Sequence, residues 1–177
     1  MANIYKILFT GPVSSGKTTA IQSLSDIGVV HTEAAASDDV KTLKPTTTVA
    51  MDYGLMRLNN GDQVRLYGTP GQKRFDFMWD ILARDALGLV LMLKADASSP
   101  VDDLRTYVGE FRELIDKTAL VVGITHTDRA TPEVRRRVAN ELVSMQLPPA
   151  VMDTDARNRT HVAALVNALV YSISPFL

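Results

Sequence analysis

Gly11-Pro12-Val13-Ser14-Ser15-Gly16-Lys17-Thr18 follows an apolar run over residues 4–10 and opens a helical pattern over residues 19–27. Two glycines, a lysine and a hydroxyl residue at this spacing, set between strand and helix, read as a phosphate-binding loop. The glycines let backbone N–H groups curl around a β-phosphate, the lysine reaches the β and γ oxygens, and the next hydroxyl offers a ligand to Mg2+. The helix that starts here points the positive end of its dipole at the same anion. Gly11, Ser14, Ser15, Gly16, Lys17, Thr18 and Thr19 are therefore the expected nucleotide contacts, with Thr18 also a metal ligand. The bland alternative, a glycine-rich turn with no ligand, does not account for the strand before it and the helix after it.

Strand and helix signals alternate along the rest of the chain. Residues 48–58 and 63–67 read as two strands joined by Asn59-Asn60-Gly61-Asp62, a good hairpin turn, so that pair is expected to be antiparallel. Residues 87–94 and 118–125 are near-continuous apolar runs, as expected of strands covered on both faces, and residues 150–152 suggest a short last strand. Helical patterns occupy residues 76–84, 100–115, 132–145 and 161–172. The sum is an α/β fold: a six-stranded, mostly parallel sheet with one antiparallel hairpin and helices on both faces, forming a single domain over residues 1–177. The polar interval 31–47 is the longest irregular piece, the kind of loop that carries function.

Composition narrows the function classes. The 177 residues are 46% hydrophobic and 22% charged, enough for one sizeable core. A formal net charge of −1 leaves no electrostatic footprint for nucleic acid, and Arg135-Arg136-Arg137 reads as a solvated helix face. The absence of cysteine excludes disulfides, thiolate metal sites, thiol nucleophiles, prenylation and palmitoylation together. Position 2 is not glycine, and no apolar run reaches membrane-spanning length, so the expectation is a cytoplasmic protein without a direct membrane anchor.

At the end of the third strand stands Gly68-Thr69-Pro70-Gly71-Gln72-Lys73-Arg74-Phe75, and before the second stands Pro45-Thr46-Thr47-Thr48 running into Asp52-Tyr53-Gly54. With the phosphate loop, these segments resemble the small Ras-like GTPases, most closely the bacterial MglA type, over nearly the whole chain. The resemblance implies GTP/GDP and Mg2+ as ligands, a γ-phosphate contact from the Gly71 N–H, and Gln72 as the residue orienting the attacking water, with Lys17 as its catalytic partner. It also implies a Mg2+-binding threonine in the first switch. Alignment on Asp52-Tyr53-Gly54 selects Thr48, and alignment on the Pro-Thr pair selects Thr46. Thr125-His126-Thr127-Asp128 resembles the guanine-reading Asn/Thr-Lys-x-Asp motif, and Asp155-Ala156-Arg157 resembles the Ser-Ala-Lys motif that meets guanine O6. Asp128 would accept from guanine N1–H and N2–H2, where adenine offers no donor.

Two departures from the family pattern bear on activity. Gly68 stands where most members carry an aspartate that holds Mg2+ through water, and Asp52, four residues after Thr48 and on the same strand face by the two-residue alternation of a strand, is the expected substitute. No arginine lies between residues 31 and 48, so intrinsic hydrolysis is expected to be slow unless Arg74 folds inward. The resemblance then implies a roadblock/longin-type regulatory partner, which can act by ordering the switches, together with an effector. A nucleotide-binding scaffold with little turnover is the alternative, and an ATPase or kinase on the same loop is a second. His31 and His161 read as surface or capping residues, while Trp79, Phe75 and Phe77 suit either the core or an effector surface.

Overall fold

The structure, a computed structural model, describes residues 2–34, 49–71, 77–129 and 132–173, with the side chains of 31–34, 49, 50 and 77 also outside the description. Seven strands form one sheet in the order β2-β3-β4-β1-β5-β6-β7. They are β1 (Ile4–Thr10), β2 (Val30–Ala34), β3 (Val49–Arg57), β4 (Gln63–Gly68), β5 (Gly88–Lys94), β6 (Leu120–Thr125) and β7 (Val151–Asp153). β1 pairs in parallel with β4 and β5, and β6 pairs in parallel with β5 and β7. The described helices are α1 (Lys17–Leu24), α2 (Phe77–Ala83), α3 (Pro100–Glu110), α4 (Arg112–Lys117), α5 (Glu133–Ser144) and α6 (Arg159–Ile173).

All six expected strands are present, and the β3–β4 hairpin is antiparallel as its turn predicts. The difference is at the edge. β2 begins the interval read as irregular and pairs antiparallel with β3, Val30 opposite Tyr53 and Ala34 opposite Val49. Its sequence, Val-His-Thr-Glu-Ala, is half polar, which suits an edge strand and hides its period from a sequence reading. A second difference splits the helix expected over residues 100–115. Phe111 leaves helical geometry (φ −101°, ψ 14°), two residues after the helix-weakening Gly109, and its buried ring stacks on Trp79 at 5.4 Å.

Two apolar layers sandwich the sheet. α1 and α6 cover one face through Ile21, Leu24, Val162 and Leu165 against Ile7, Phe9, Val90 and Met92. α2, α3 and α5 cover the other through Trp79, Leu104, Val108, Val138 and Leu142 against Leu8, Leu89, Leu91 and Val122. β5 and β6 are buried almost throughout, which explains their unbroken apolar runs. Arg135, Arg136 and Arg137 lie on the exposed side of α5, as expected. Among the described residues no helix is long and apolar enough to cross a membrane. In this topology the carboxyl ends of β1, β5 and β6 share one rim of the sheet, where α/β folds bind ligands.

Candidate functional site

The phosphate loop leaves the carboxyl end of β1 at Gly11 (φ 140°), where a Cβ would sit 2.1 Å from the Met92 carbonyl oxygen of β5. Ser14 (φ 63°) and Gly16 (φ 96°) then take left-handed conformations. A non-glycine residue held there costs on the order of 1 kcal/mol, a strain that recurs at ligand loops. Alternation of this kind turns successive N–H groups into a common concavity suited to an anion. Gly16 caps α1 without a side-chain hydrogen bond, and the first turn carries no acidic residue. The helix start therefore keeps its donors and its positive dipole end for a ligand.

Lys17 is 7% exposed, and its Nζ donates to the Gly11 and Pro12 carbonyl oxygens, each at 2.7 Å. Burial pushes its pKa down to about 8, opposed by the Asp52 carboxylate. The lysine is thus poised over the loop and short of a counter-charge, the situation a phosphate relieves. Thr18 Oγ1 donates to Asp52 Oδ2. Asp52 reaches it because β3 sets Asp52 directly opposite Gly68 on β4. A Cβ on Gly68 would lie 3.1 Å from Asp52 Cβ and 3.2 Å from its Oδ2. The carboxylate occupies the space that a side chain at position 68 would fill. A hydroxyl and a carboxylate oxygen, both hard donors, fit Mg2+, so Thr18 and Asp52 are the described residues that could hold it. Gly71 closes the loop from the far side: a Cβ there would meet Val13 N at 2.8 Å and Lys17 Nζ at 3.1 Å.

The opposite wall forms at the ends of β6 and β7. The buried Thr125 hydroxyl lies 3.0 Å from the Ser15 carbonyl oxygen and 3.0 Å from His126 Nδ1, strapping the two loops together. Ala156 is buried against Gly16, whose Cβ would approach the Ala156 methyl at 3.0 Å. Arg157 donates from its backbone N–H and its guanidinium to Asp155, holding that carboxyl well down, at about 2. Asp155 is thus ion-paired to Arg157 at the rim of the site. His126 sits at φ 59° after the strand, and Asp128 follows in a short 3-10 turn. The Asp128 side chain is 81% exposed and stands 4.0 Å from Arg129 Nε. A carboxylate this exposed stays hydrated, so it would discriminate between bases only if a bound base covered it.

Between these walls lies a cavity of about 600 Å3, lined by Ser14, residues 16–19, 125–129 and 154–157. That volume suits a nucleotide-sized ligand. Of the expected site residues, Ser14, Gly16, Lys17, Thr18, Thr19, Thr125, His126, Asp128, Asp155, Ala156 and Arg157 line it together. Gly11, Ser15 and Gly71 support the loop behind it. Thr46, Thr48, Gln72, Arg74 and Phe75 lie outside the described residues. Trp79 resolves to the core: it is 3% exposed, stacks on Tyr107 and donates from Nε1 to the Pro70 carbonyl oxygen at 3.2 Å. His161 accepts the Asp155 N–H through Nδ1, a local capping role. Arg129 and Thr154 also line the cavity and were not singled out by sequence, although their places beside Asp128 and Asp155 were the available signal. The buried Thr10–Thr69 hydroxyl pair, at 2.8 Å, ties the ends of β1 and β4 beneath the site and had no sequence signal.

No protein-family model matches the chain. Over 112 residues it is 29% identical to an intraflagellar transport protein 22 homolog of Bos taurus, covering 60% of this chain and 55% of that protein. Over 99 residues it is 29% identical to an uncharacterized protein of Methanocaldococcus jannaschii, covering 55% of this chain and 56% of that protein. The chain thus spans about half the length of these two relatives. A longer match, 22% identical over 176 residues, joins it to the intraflagellar transport protein 22 homolog of Xenopus tropicalis, covering 96% of this chain and 91% of that protein. The α/β architecture is consistent with a Ras-like G domain, and along its length the chain is similar to intraflagellar transport protein 22 homologs.

Proposed function

We propose that this protein is a GTP-binding molecular switch that hydrolyses GTP slowly on its own, of the MglA type within the Ras-like superfamily. The observation that carries the reading is the arrangement at the phosphate loop: a left-handed Ser14–Gly16 turn, a desolvated Lys17 and an uncapped start to α1 converge on one anion-sized concavity. In this reading the loop N–H groups and Lys17 hold the phosphates, and Ala156 and His126 flank the base that Asp128 selects. Thr18, Asp52 and the first-switch threonine, Thr48 or Thr46, hold Mg2+, which when bound neutralises the charge that develops on the phosphate oxygens. Gln72 orients the attacking water, and the Gly71 N–H contacts the γ-phosphate. Gly71 abuts both Val13 and Lys17, so a γ-phosphate held by Lys17 lies within reach of the Gly71 N–H and ties the second switch to the phosphate loop. Loss of that tie on hydrolysis is the physical basis for two states.

With no arginine between residues 31 and 48, acceleration depends on a partner, and a roadblock/longin-type regulatory protein is the proposed one. Single-turnover phosphate release from the GTP-loaded protein tests the hydrolytic step. Slow, Mg2+-dependent release that is abolished in Gln72→Ala supports a switch. Tight GTP binding without release supports the alternative, a regulatory scaffold.

A further inference from the structure

We propose that a second groove, at the end of the sheet opposite the nucleotide site, binds an acidic peptide segment of a partner protein, with alternating carboxylate and apolar side chains. The groove has a volume of about 700 Å3 and lies where β1, β5 and β6 begin, bordered by Lys6, Arg65, Arg84 and Lys117, with Asp85 the one acidic residue on its lining among the described residues. Lys6 is five residues before Gly11, so at about 3.3 Å per residue the groove is roughly 17 Å from the phosphate loop. The proposal therefore stands independently of the nucleotide reading.

Three observations point to an anionic occupant. Lys6 and Arg65 are register partners on the adjacent parallel strands β1 and β4, so two like charges share one row of one sheet face. Such a pairing is unfavourable unless something negative covers it. Lys6 is half-buried, its ammonium pushed down in pKa by burial, with Asp85 only partly opposing. Its Nζ donates to the Arg84 carbonyl oxygen at 2.8 Å and lies 5.1 Å from the Tyr67 ring centroid, contacts that hold it in place without neutralising it. Finally, among the described residues none of Lys6, Arg65 and Arg84 forms an ion pair, while Lys117 pairs with the exposed Glu113, a contact easily exchanged.

The occupant is narrowed by where the cations come from. They project from four separate places, β1, β4, the end of α2 and the end of α4, around the apolar side chains Ile4 and Leu87, Ile4 being 56% exposed. Charges spread around an apolar floor match a chain that alternates carboxylates with apolar residues. A lone phosphate would call for convergence on one point, and a membrane for cations on a projecting surface.

The test uses the whole chain, loaded with GDP and labelled with 15N, titrated separately with a glutamate–leucine alternating decapeptide, its lysine–leucine counterpart, inorganic phosphate and phosphatidylserine vesicles. The expected result is saturable shifts of the Lys6, Arg65, Tyr67, Leu87 and Thr118 amides with the glutamate peptide alone. The double variant Arg65→Glu/Arg84→Glu, at two exposed positions, should weaken that binding by about tenfold or more with GDP affinity unchanged and no fall in melting temperature. Absence of saturable shifts, equal affinity of the double variant, or stronger binding of phosphate, vesicles or the lysine peptide overturns the proposal.

Discussion

Moving one carboxylate across the β3–β4 ladder tests the proposed metal site. Asp52 and Gly68 are register partners, and a Cβ at position 68 falls 3.2 Å from Asp52 Oδ2, so an aspartate from either strand can reach Thr18. Asp52→Ala removes a charged hydrogen-bond acceptor, worth about 1.5–3 kcal/mol. That corresponds to Mg2+-dependent GDP binding weakened about ten- to a hundredfold. Gly68→Asp with Asp52 retained is worse, because two carboxylates about 4 Å apart repel by roughly 4 kcal/mol at an effective dielectric near 20. It also presses on Ile21 Cδ1, which would lie 2.9 Å from the new Cβ. The double variant Asp52→Ala/Gly68→Asp removes the repulsion and returns a carboxylate to the same place. Its affinity should exceed the sum of the single effects by at least about 2 kcal/mol of coupling. Titration calorimetry with GDP across a Mg2+ series reads all four corners of the cycle. Additive losses, or an Asp52→Ala variant with unchanged Mg2+ dependence, would refute the reasoning.

Lys17 gives a pH signature. Its pKa in the folded protein is about 8 against an ordinary value of 10.5, so the unfolded chain binds more protons between those values. Stability without nucleotide should therefore rise as pH climbs through that window, the charge-burial cost being fully present below about 8, and melting curves from pH 7 to 10 check it. A phosphate restores the charge, so nucleotide binding at pH 9 should take up close to one proton, measured by calorimetry in buffers of different ionisation heat. Trp79, the one tryptophan of the chain, donates to the Pro70 carbonyl oxygen next to Gly71, so its fluorescence should change when GTP replaces GDP. Trp79→Phe loses that hydrogen bond and part of the stacking on Tyr107 and Phe111 and should cost about 1–3 kcal/mol in denaturant unfolding. Arg65→Gln relieves the like-charge row with Lys6 and should stabilise the free protein by about 0.2–1 kcal/mol, less at high ionic strength.

The parts of the fold that sequence made legible are those where a local rule acts alone. The glycine and lysine spacing located the turn from β1 into α1, Asn59-Asn60-Gly61-Asp62 located the hairpin, and unbroken apolar runs located β5 and β6. What stayed hidden depends on tertiary partners. β2 is recognisable only by its pairing with β3, because its own residues carry no apolar alternation. The break at Phe111 arises from a ring drawn onto Trp79, thirty-two residues earlier, and no helix signal reports such a contact. Asp52 was legible from strand periodicity, yet its juxtaposition with Gly68 required the register. For Asp128 the sequence gives identity and place but not hydration. The structure leaves that side chain exposed, so in the proposed reading selectivity comes from what the base covers.

Base selection is the most direct test of the central claim. Purified protein should be titrated with GTP, ATP and xanthosine triphosphate in the presence of Mg2+, alongside its Asp128→Asn variant. A guanine-reading carboxylate predicts GTP tightest for the parent. For the variant it predicts a shift toward xanthosine triphosphate, because an asparagine amide donates to the xanthine C2 carbonyl where the aspartate accepted from the guanine amine. Equal affinity of the parent for ATP and GTP, with no exchange of preference in the variant, would contradict the account.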